Sequence, residues 1–263
     1  MAVGWQIVSN KIVSRIENRR HIPLQFHVQP CLQPSILVTS SAWNAILLTL
    51  QVSSVATLII FVPAVLLAWQ FARRDSIASH FLFSLFGLPM VLPPTAVGYL
   101  LLQFLADDGP AGPVLMGLDL TLLLTWQAAV LAAAVMAFPL VIRTAKVAFE
   151  NVDPELESIS RTLGRGPWST FTSVSLPLAH RGLLAAAILG FTRAVGEFGA
   201  TITVAGNIPG KTQTVASAIY SSQQSGNRAE AVTLIAFALC IGWAAIFCTE
   251  LLIRRATIVS RKP

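Results

Sequence analysis

The run from Ser41 to Phe71 contains no charged residue, and neither does the run from Phe81 to Leu105. A helix rises ~1.5 Å per residue, so about 20 apolar residues cross a hydrocarbon core ~30 Å thick. Both runs are long enough, and both are read as membrane helices. Only 11% of the chain is charged and its mean hydropathy is +0.69. A soluble domain carries roughly 25% charge. The apolar excess lies in long runs, which is the membrane pattern rather than that of a large soluble core.

Three further apolar segments follow, Thr121 to Val147, Gly182 to Ala205 and Ala231 to Ile253, making five expected spans and an all-α polytopic membrane protein. Lys and Arg stay on the cytoplasmic side of membrane proteins. Arg73 and Arg74, Arg143 and Lys146, Arg161 and Arg165, and Arg254 and Arg255 all fall on one side by this count, with Asp107 and Asp108 on the other. The C-terminus, with Arg261 and Lys262, is expected in the cytoplasm. Lys11, Arg15, Arg19 and Arg20 break the rule, since an odd number of spans puts them outside. Residues 1–40 are read as a basic tail, poorly ordered or forming a short interfacial helix through Ile7, Ile12, Val13 and Ile16. Residues 41–255 form the transmembrane domain and 256–263 a short cytoplasmic tail.

The net charge of +6 does not point to nucleic acid, because the basic residues flank spans instead of sharing a face. Cys31, Cys240 and Cys248 are too scattered for a disulfide framework or zinc site, and the histidines lack metal-ligand spacing. No nucleophile–base pair or metal cluster appears, so neither a catalytic residue nor a metal site is expected. Gly206-Asn207-Ile208-Pro209-Gly210-Lys211-Thr212 looks like a phosphate-binding loop, but the required first glycine falls at Ala205. It also follows an apolar helix rather than a strand, and nucleotide binding there is rejected.

Two spans carry internal irregularities. Pro89, Pro93 and Pro94 remove backbone donors from the second, which is read either as a kinked packing helix or as a pore-lining one. Pro139 predicts a kink in the third. The fourth holds Arg193 and Glu197, four residues apart and expected on one helical face. Charge at membrane depth costs roughly 2.5–3.5 kcal/mol per residue on insertion scales, so an ion pair is expected. The pair acts either as a structural brace or as part of a gate.

Between the third and fourth spans lies a polar island, about residues 149–178. Asp153 is placed to cap a helix, Pro154 suits its first position, and Glu155 and Glu157 suit its first turn. The helix predicted from Glu155 to Leu163 stops at Gly164, a natural residue for the left-handed position after a helix. A second short amphipathic helix is predicted over Trp168 to Val174, and Leu176-Pro177 marks the junction with the fourth span.

Glu157-Ser158-Ile159-Ser160-Arg161-Thr162-Leu163-Gly164, followed by Trp168 and by Leu176-Pro177-Leu178-Ala179, resembles the cytoplasmic EAA loop of binding-protein-dependent ABC importer permeases. Ser158, Ile159 and Ser160 stand near the positions of the name-giving Glu-Ala-Ala, which is not intact here. Three more segments extend the match: Leu88 to Tyr99, Ala137 to Arg143, and Arg193-Ala194-Val195-Gly196-Glu197-Phe198-Gly199-Ala200-Thr201-Ile202-Thr203. The last is similar to molybdate permeases, with sulfate permeases sharing a looser version. The likeness covers roughly Trp43 to Arg255.

That resemblance implies a type I ABC importer permease fold and a non-catalytic translocation subunit in the bacterial inner membrane. It implies a second copy of the chain, two ATPase subunits that hold ATP and Mg, and an extracytoplasmic oxyanion-binding protein. Glu157, Ser158, Ile159, Ser160, Gly164, Leu176 and Pro177 would couple to the ATPase. A pore for a dianion should offer hydroxyls and backbone donors rather than a carboxylate. Pro93, Pro94, Thr95, Thr192, Gly196, Thr201 and Thr203 are therefore candidates for lining or gating it, with Arg193 and Glu197 paired away from its axis. Sulfate or tungstate is the alternative cargo. A stand-alone channel or secondary transporter would need paired inverted repeats or a midplane ion site, and it leaves the polar island without a role.

Overall fold

The computed structural model describes residues 40–74 and 76–259, the last eight as helical backbone alone. The expectations for the N-terminal tail, Cys31, the side chains of Arg254 and Arg255, and the end of the C-terminal tail lie outside the described residues. Every regular element among the described residues is helical: α1 (Ser40–Ala72), α2 (Ile77–Leu85), α3 (Leu88–Val91), α4 (Pro94–Leu105), α5 (Gly112–Gly117) and α6 (Trp126–Glu150). Then come α7 (Pro154–Thr162), α8 (Pro167–Thr170), a π turn (Phe171–Ser175), α9 (Leu176–Val195), α10 (Gly199–Ala205), α11 (Val215–Gln224) and α12 (Arg228–Val259).

Four helical stretches are long and apolar enough to cross a bilayer: Ser40–Ala72, Trp126–Glu150, Pro167–Val195 and Arg228–Leu251. The second expected span is not one helix. It is assembled from α2, α3 and α4, separated at Phe86-Gly87 and at Leu92-Pro93. Pro93 and Pro94 offer no N–H to the preceding turn, so the ladder stops and α4 restarts with Pro94 in its first turn. Pro139, by contrast, is buried within α6, which remains helical on both sides of it.

The fourth expected span also differs. Its helix starts at Pro167, before the predicted junction, and runs through the π turn into α9. Pro177 cannot donate to the preceding turn, and a widened π turn just before it accommodates that loss. Leu176-Pro177 therefore lies inside a continuous helix, and the separate helix predicted over Trp168 to Val174 is that helix's first part. At the other end α9 stops at Val195, and Gly196 to Phe198 separate it from the short α10.

Helix α6 is the hub, packing against α1, α9 and α10. Its buried face is dominated by alanine: Ala128, Ala129, Ala132, Ala133, Ala137, Ala145 and Ala148. In lipid there is little hydrophobic drive between helices, so association depends on close backbone approach past small side chains. Gly190 of α9 shows the tolerance: a Cβ there would lie 2.4 Å from Val141 Cγ2. Gly182 meets Ala148 Cβ at the same 2.4 Å. Helix α1 contributes Val52, Ala56, Ile60 and Ala64, a buried stripe at helical spacing. Its Thr49 hydroxyl donates to the Ala45 carbonyl and accepts the Val215 N–H at 2.8 Å, which fixes the start of α11.

Candidate functional site

Two places break the pattern of apolar helix on apolar helix. The first is α7 with its flanks. Asp153 caps α7 by accepting the Glu155 N–H at 2.9 Å, with Pro154 in the first turn. At the other end Gly164 takes φ +82°, its N–H donates to the Arg161 carbonyl and the Arg165 N–H donates to the Ser160 carbonyl. These two bonds make a Schellman stop, so both ends of α7 are defined by local sequence.

Within α7 the two faces have separate chemistry. Glu157 and Ser160 are buried. The Glu157 carboxylate accepts from Arg73 Nε at 2.9 Å and Arg73 Nη2 at 2.8 Å, and from Ser175 Oγ at 2.6 Å. Arg73 Nη2 also donates to the Val152 carbonyl at 3.2 Å. Burial pushes the Glu157 carboxyl up, but the hydrogen bonds from Arg73 and Ser175 and the charges of Arg73 and Arg161 outweigh it. Its pKa therefore lies below the ordinary glutamate value. Ser160 and Thr170 share a hydroxyl–hydroxyl bond of 3.2 Å. Behind them Phe171 packs on Trp69, Trp168 and Phe149.

The exposed surface of α7 carries an apolar stripe among the polar Glu155, Ser158, Arg161 and Thr162. Leu156 is 44% exposed, Ile159 55% and Leu163 76%. Leu156, Ile159 and Leu163 stand three and four residues apart, one stripe on one side. Ser158 is exposed as well, Leu176 is half-buried and Pro177 is exposed. The expected coupling set thus divides. Glu157 and Ser160 face inward, whereas Ser158 and Ile159 face out. Arg73 and Ser175 were missed as members of this site. Arg73 served only as a marker of membrane side, and nothing in local spacing links it to a residue 84 positions away.

The second place is where the two breaks meet. Helix α4 packs against α10. A Cβ on Gly199 would lie 2.8 Å from Pro94 Cβ, and one on Gly98 would lie 2.8 Å from Thr203 Cβ and 2.9 Å from Ala200 Cα. Pro94, Thr95, Gly98, Gly199 and Thr203 are thus brought together, with Pro93 and Gly196 exposed at the breaks. Thr192 lies on α9, half-buried, and Thr201 is buried within the chain.

Arg193 and Glu197 do not share one continuous helix as expected, because α9 ends between them. They still pair, Arg193 Nη1 donating to Glu197 Oε2 at 2.8 Å. The other oxygen, Oε1, accepts the Ala200 N–H at 2.9 Å and so caps the restarted α10. The Glu197 side chain is 2% exposed and turned into the protein. Three of the candidate threonines spend their hydroxyl protons within the chain. Thr192, Thr201 and Thr203 donate their hydroxyls to the carbonyls of Ile188, Phe198 and Gly199 at 2.8, 2.9 and 2.8 Å. A hydroxyl carries a single proton, so these three present lone pairs rather than donors to an anion. Thr95 is exposed.

No group of three or more His, Cys, Asp or Glu side chains that could hold a metal occurs among the described residues.

Residues 60–257 match the family model described as binding-protein-dependent transport system inner membrane component. The molybdenum transport system permease protein ModB of Escherichia coli (strain K12) is 40% identical over 221 residues, which cover 83% of this chain and 96% of that protein. The sulfate transport system permease protein CysT of the same strain is 35% identical over 172 residues, 65% of this chain and 62% of that one. Among solved structures, a bacterial alginate ABC transporter in complex with a pentasaccharide-bound periplasmic protein aligns with a TM-score of 0.65 at 16% identity. The alignment covers 98% of this chain and 96% of that one.

Proposed function

Because this chain belongs to the binding-protein-dependent transport system inner-membrane component family, a family of ABC importer permeases, we propose that it carries molybdate through the membrane by alternating access, driven by a separate ATPase. The observation that supports the coupling half is α7: a capped helix pinned through Glu157, with Leu156, Ile159 and Leu163 left exposed. An apolar stripe on a short polar helix lies outside the apolar spans, so it calls for a protein partner rather than lipid. ATP and Mg belong to that partner; this chain supplies the surface it pushes on and the pathway that opens. Two copies of the chain would enclose the pathway, and an extracytoplasmic binding protein would deliver the oxyanion.

Likeness to known permeases supports molybdate as the cargo. The molybdenum permease is 40% identical along 96% of its length, whereas sulfate permeases are 35% identical along 62% of theirs or 28% along 83%. The inward Glu197 carboxylate fits a dianion pathway, since an unpaired carboxylate facing it would repel the cargo. Arg193 neutralises Glu197, and the α10 N-terminus uses its second oxygen.

The test is uptake in vesicles holding the chain, its ATPase and its binding protein, with radiolabelled molybdate as probe and sulfate and tungstate as competitors. ATP-dependent molybdate uptake, resistant to a large excess of sulfate, is the expected result. Uptake without ATP or ATPase would overturn the importer reading. Uptake of sulfate in preference would overturn the cargo.

A further inference from the structure

Arg73 stands just past the end of α1 and joins three segments distant from it in sequence. Its guanidinium grips both oxygens of Glu157 in α7, at 2.9 and 2.8 Å, and also the Val152 carbonyl between α6 and α7. The same carboxylate takes the hydroxyl proton of Ser175, in the π turn at the base of α9, at 2.6 Å. The side chains are 18% exposed for Arg73 and 5% for Glu157. One carboxylate therefore ties together α1, α7 and the foot of α9.

A buried ion pair of this kind adds little stability over apolar residues of the same shape. What it adds is geometry, because a two-pronged arginine–carboxylate contact holds both groups in one plane at fixed separation. Helix α7 needs such a fixture. It has nine residues, too few for a helix to be stable alone. Its outer stripe faces away from the chain, and Gly164 and Gly166 lie in its exit. Among its own residues only Glu157 and Ser160 are buried. With the Arg73 contact in place, a displacement of α7 carries α1 along with it. Without it, α7 keeps its covalent ends and its hydroxyl contacts to Thr170 and Ser175, none of which reaches α1.

Resting on the importer reading, we propose that Arg73 and Glu157 are positioning residues that make α7 rigid with α1, so that the stroke of the ATPase reaches the first span as well as α9. The experiment uses the full complex in vesicles and reads radiolabelled molybdate uptake and ATP hydrolysis together. Arg73→Ala and Glu157→Gln should keep the ATPase bound and hydrolysing, while uptake per ATP falls at least about fivefold, the low end of coupling between linked sites. The double reversal Arg73→Glu with Glu157→Arg should recover part of that ratio. A merely structural pair would lower melting temperature, hydrolysis and uptake together and leave uptake per ATP unchanged, which would overturn the proposal. If these variants do not assemble, Arg73→Lys and Ser175→Ala are read instead. Each keeps a charge pair but loses part of the network, and an unchanged ratio in both overturns the proposal equally. Failure of the importer reading itself shows in the unmodified protein, as absence of ATP-dependent uptake.

Discussion

Glu157 and Gly164 lie seven residues apart in one short loop and act by different physics. Removing the Glu157 carboxylate strands a largely buried guanidinium. Glu157→Ala should cost about 3 kcal/mol, the low end of the roughly 3–5 kcal/mol seen for broken buried pairs, since Arg73 keeps some exposure. Thermal unfolding of the purified protein measures it. The same carboxyl has a lowered pKa in the folded chain. Its contribution is therefore complete above the unfolded value, about pH 4.3, and is lost as pH falls through the lower folded value. The stability gap between the unmodified protein and Glu157→Gln should stay constant from pH 8 to about 6 and close only in strong acid. Gly164 has open space around it but a φ of +82°. Gly164→Ala should cost about 1 kcal/mol through backbone strain alone, and Gly164→Asn less, because Asn tolerates that region. Equal melting temperatures for Ala and glycine would contradict this.

At the scale of elements, broken helices rather than long ones distinguish this chain. Helices α4 and α10 are short, begin at breaks and touch through glycine. Gly98→Ala would push a methyl into Thr203 and the Ala200 backbone. A loss of about 1–3 kcal/mol is expected, as for overpacking in a filled core. Gly242 of α12 meets nothing within 4 Å, so Gly242→Ala should stabilise by about 0.5–1 kcal/mol through helix propensity. Comparing the two melting temperatures tests whether the α4–α10 contact is as close as described. Much of this was legible in sequence: Pro93 and Pro94 announce the first break, and Asp153-Pro154 and Gly164 bound α7 within a residue or two. The second break was not legible. Gly196 to Phe198 carry no proline, and Gly182 to Ala205 read as one span with an ion pair at helical spacing. At that break Glu197 turns to accept the Ala200 N–H, and the restarted α10 packs its Gly199 on Pro94 of α4, a contact between segments far apart in sequence.

At the scale of the molecule, the outer stripe of α7 is the feature that reaches beyond the chain. Ile159→Asp and Leu163→Asp put charge on an exposed face. They should leave the melting temperature nearly unchanged yet abolish co-purification of the ATPase; retention of the ATPase by both would place its contact elsewhere. The apolar segments, their order and the polar loop between the third and fourth follow from sequence alone, because hydropathy, prolines and helix caps act locally and need no partner. The division of the second segment into three helices and the bounds of the fourth do not. Which residues of α7 are buried, which threonine hydroxyls are already spent, and that Arg73 pairs with Glu157 were decided only by the folded chain. The first and the last depend on groups that meet from far apart in sequence, and the hydroxyls on the rotamer each threonine takes within its own turn, so neither periodicity nor spacing carries a signal for them.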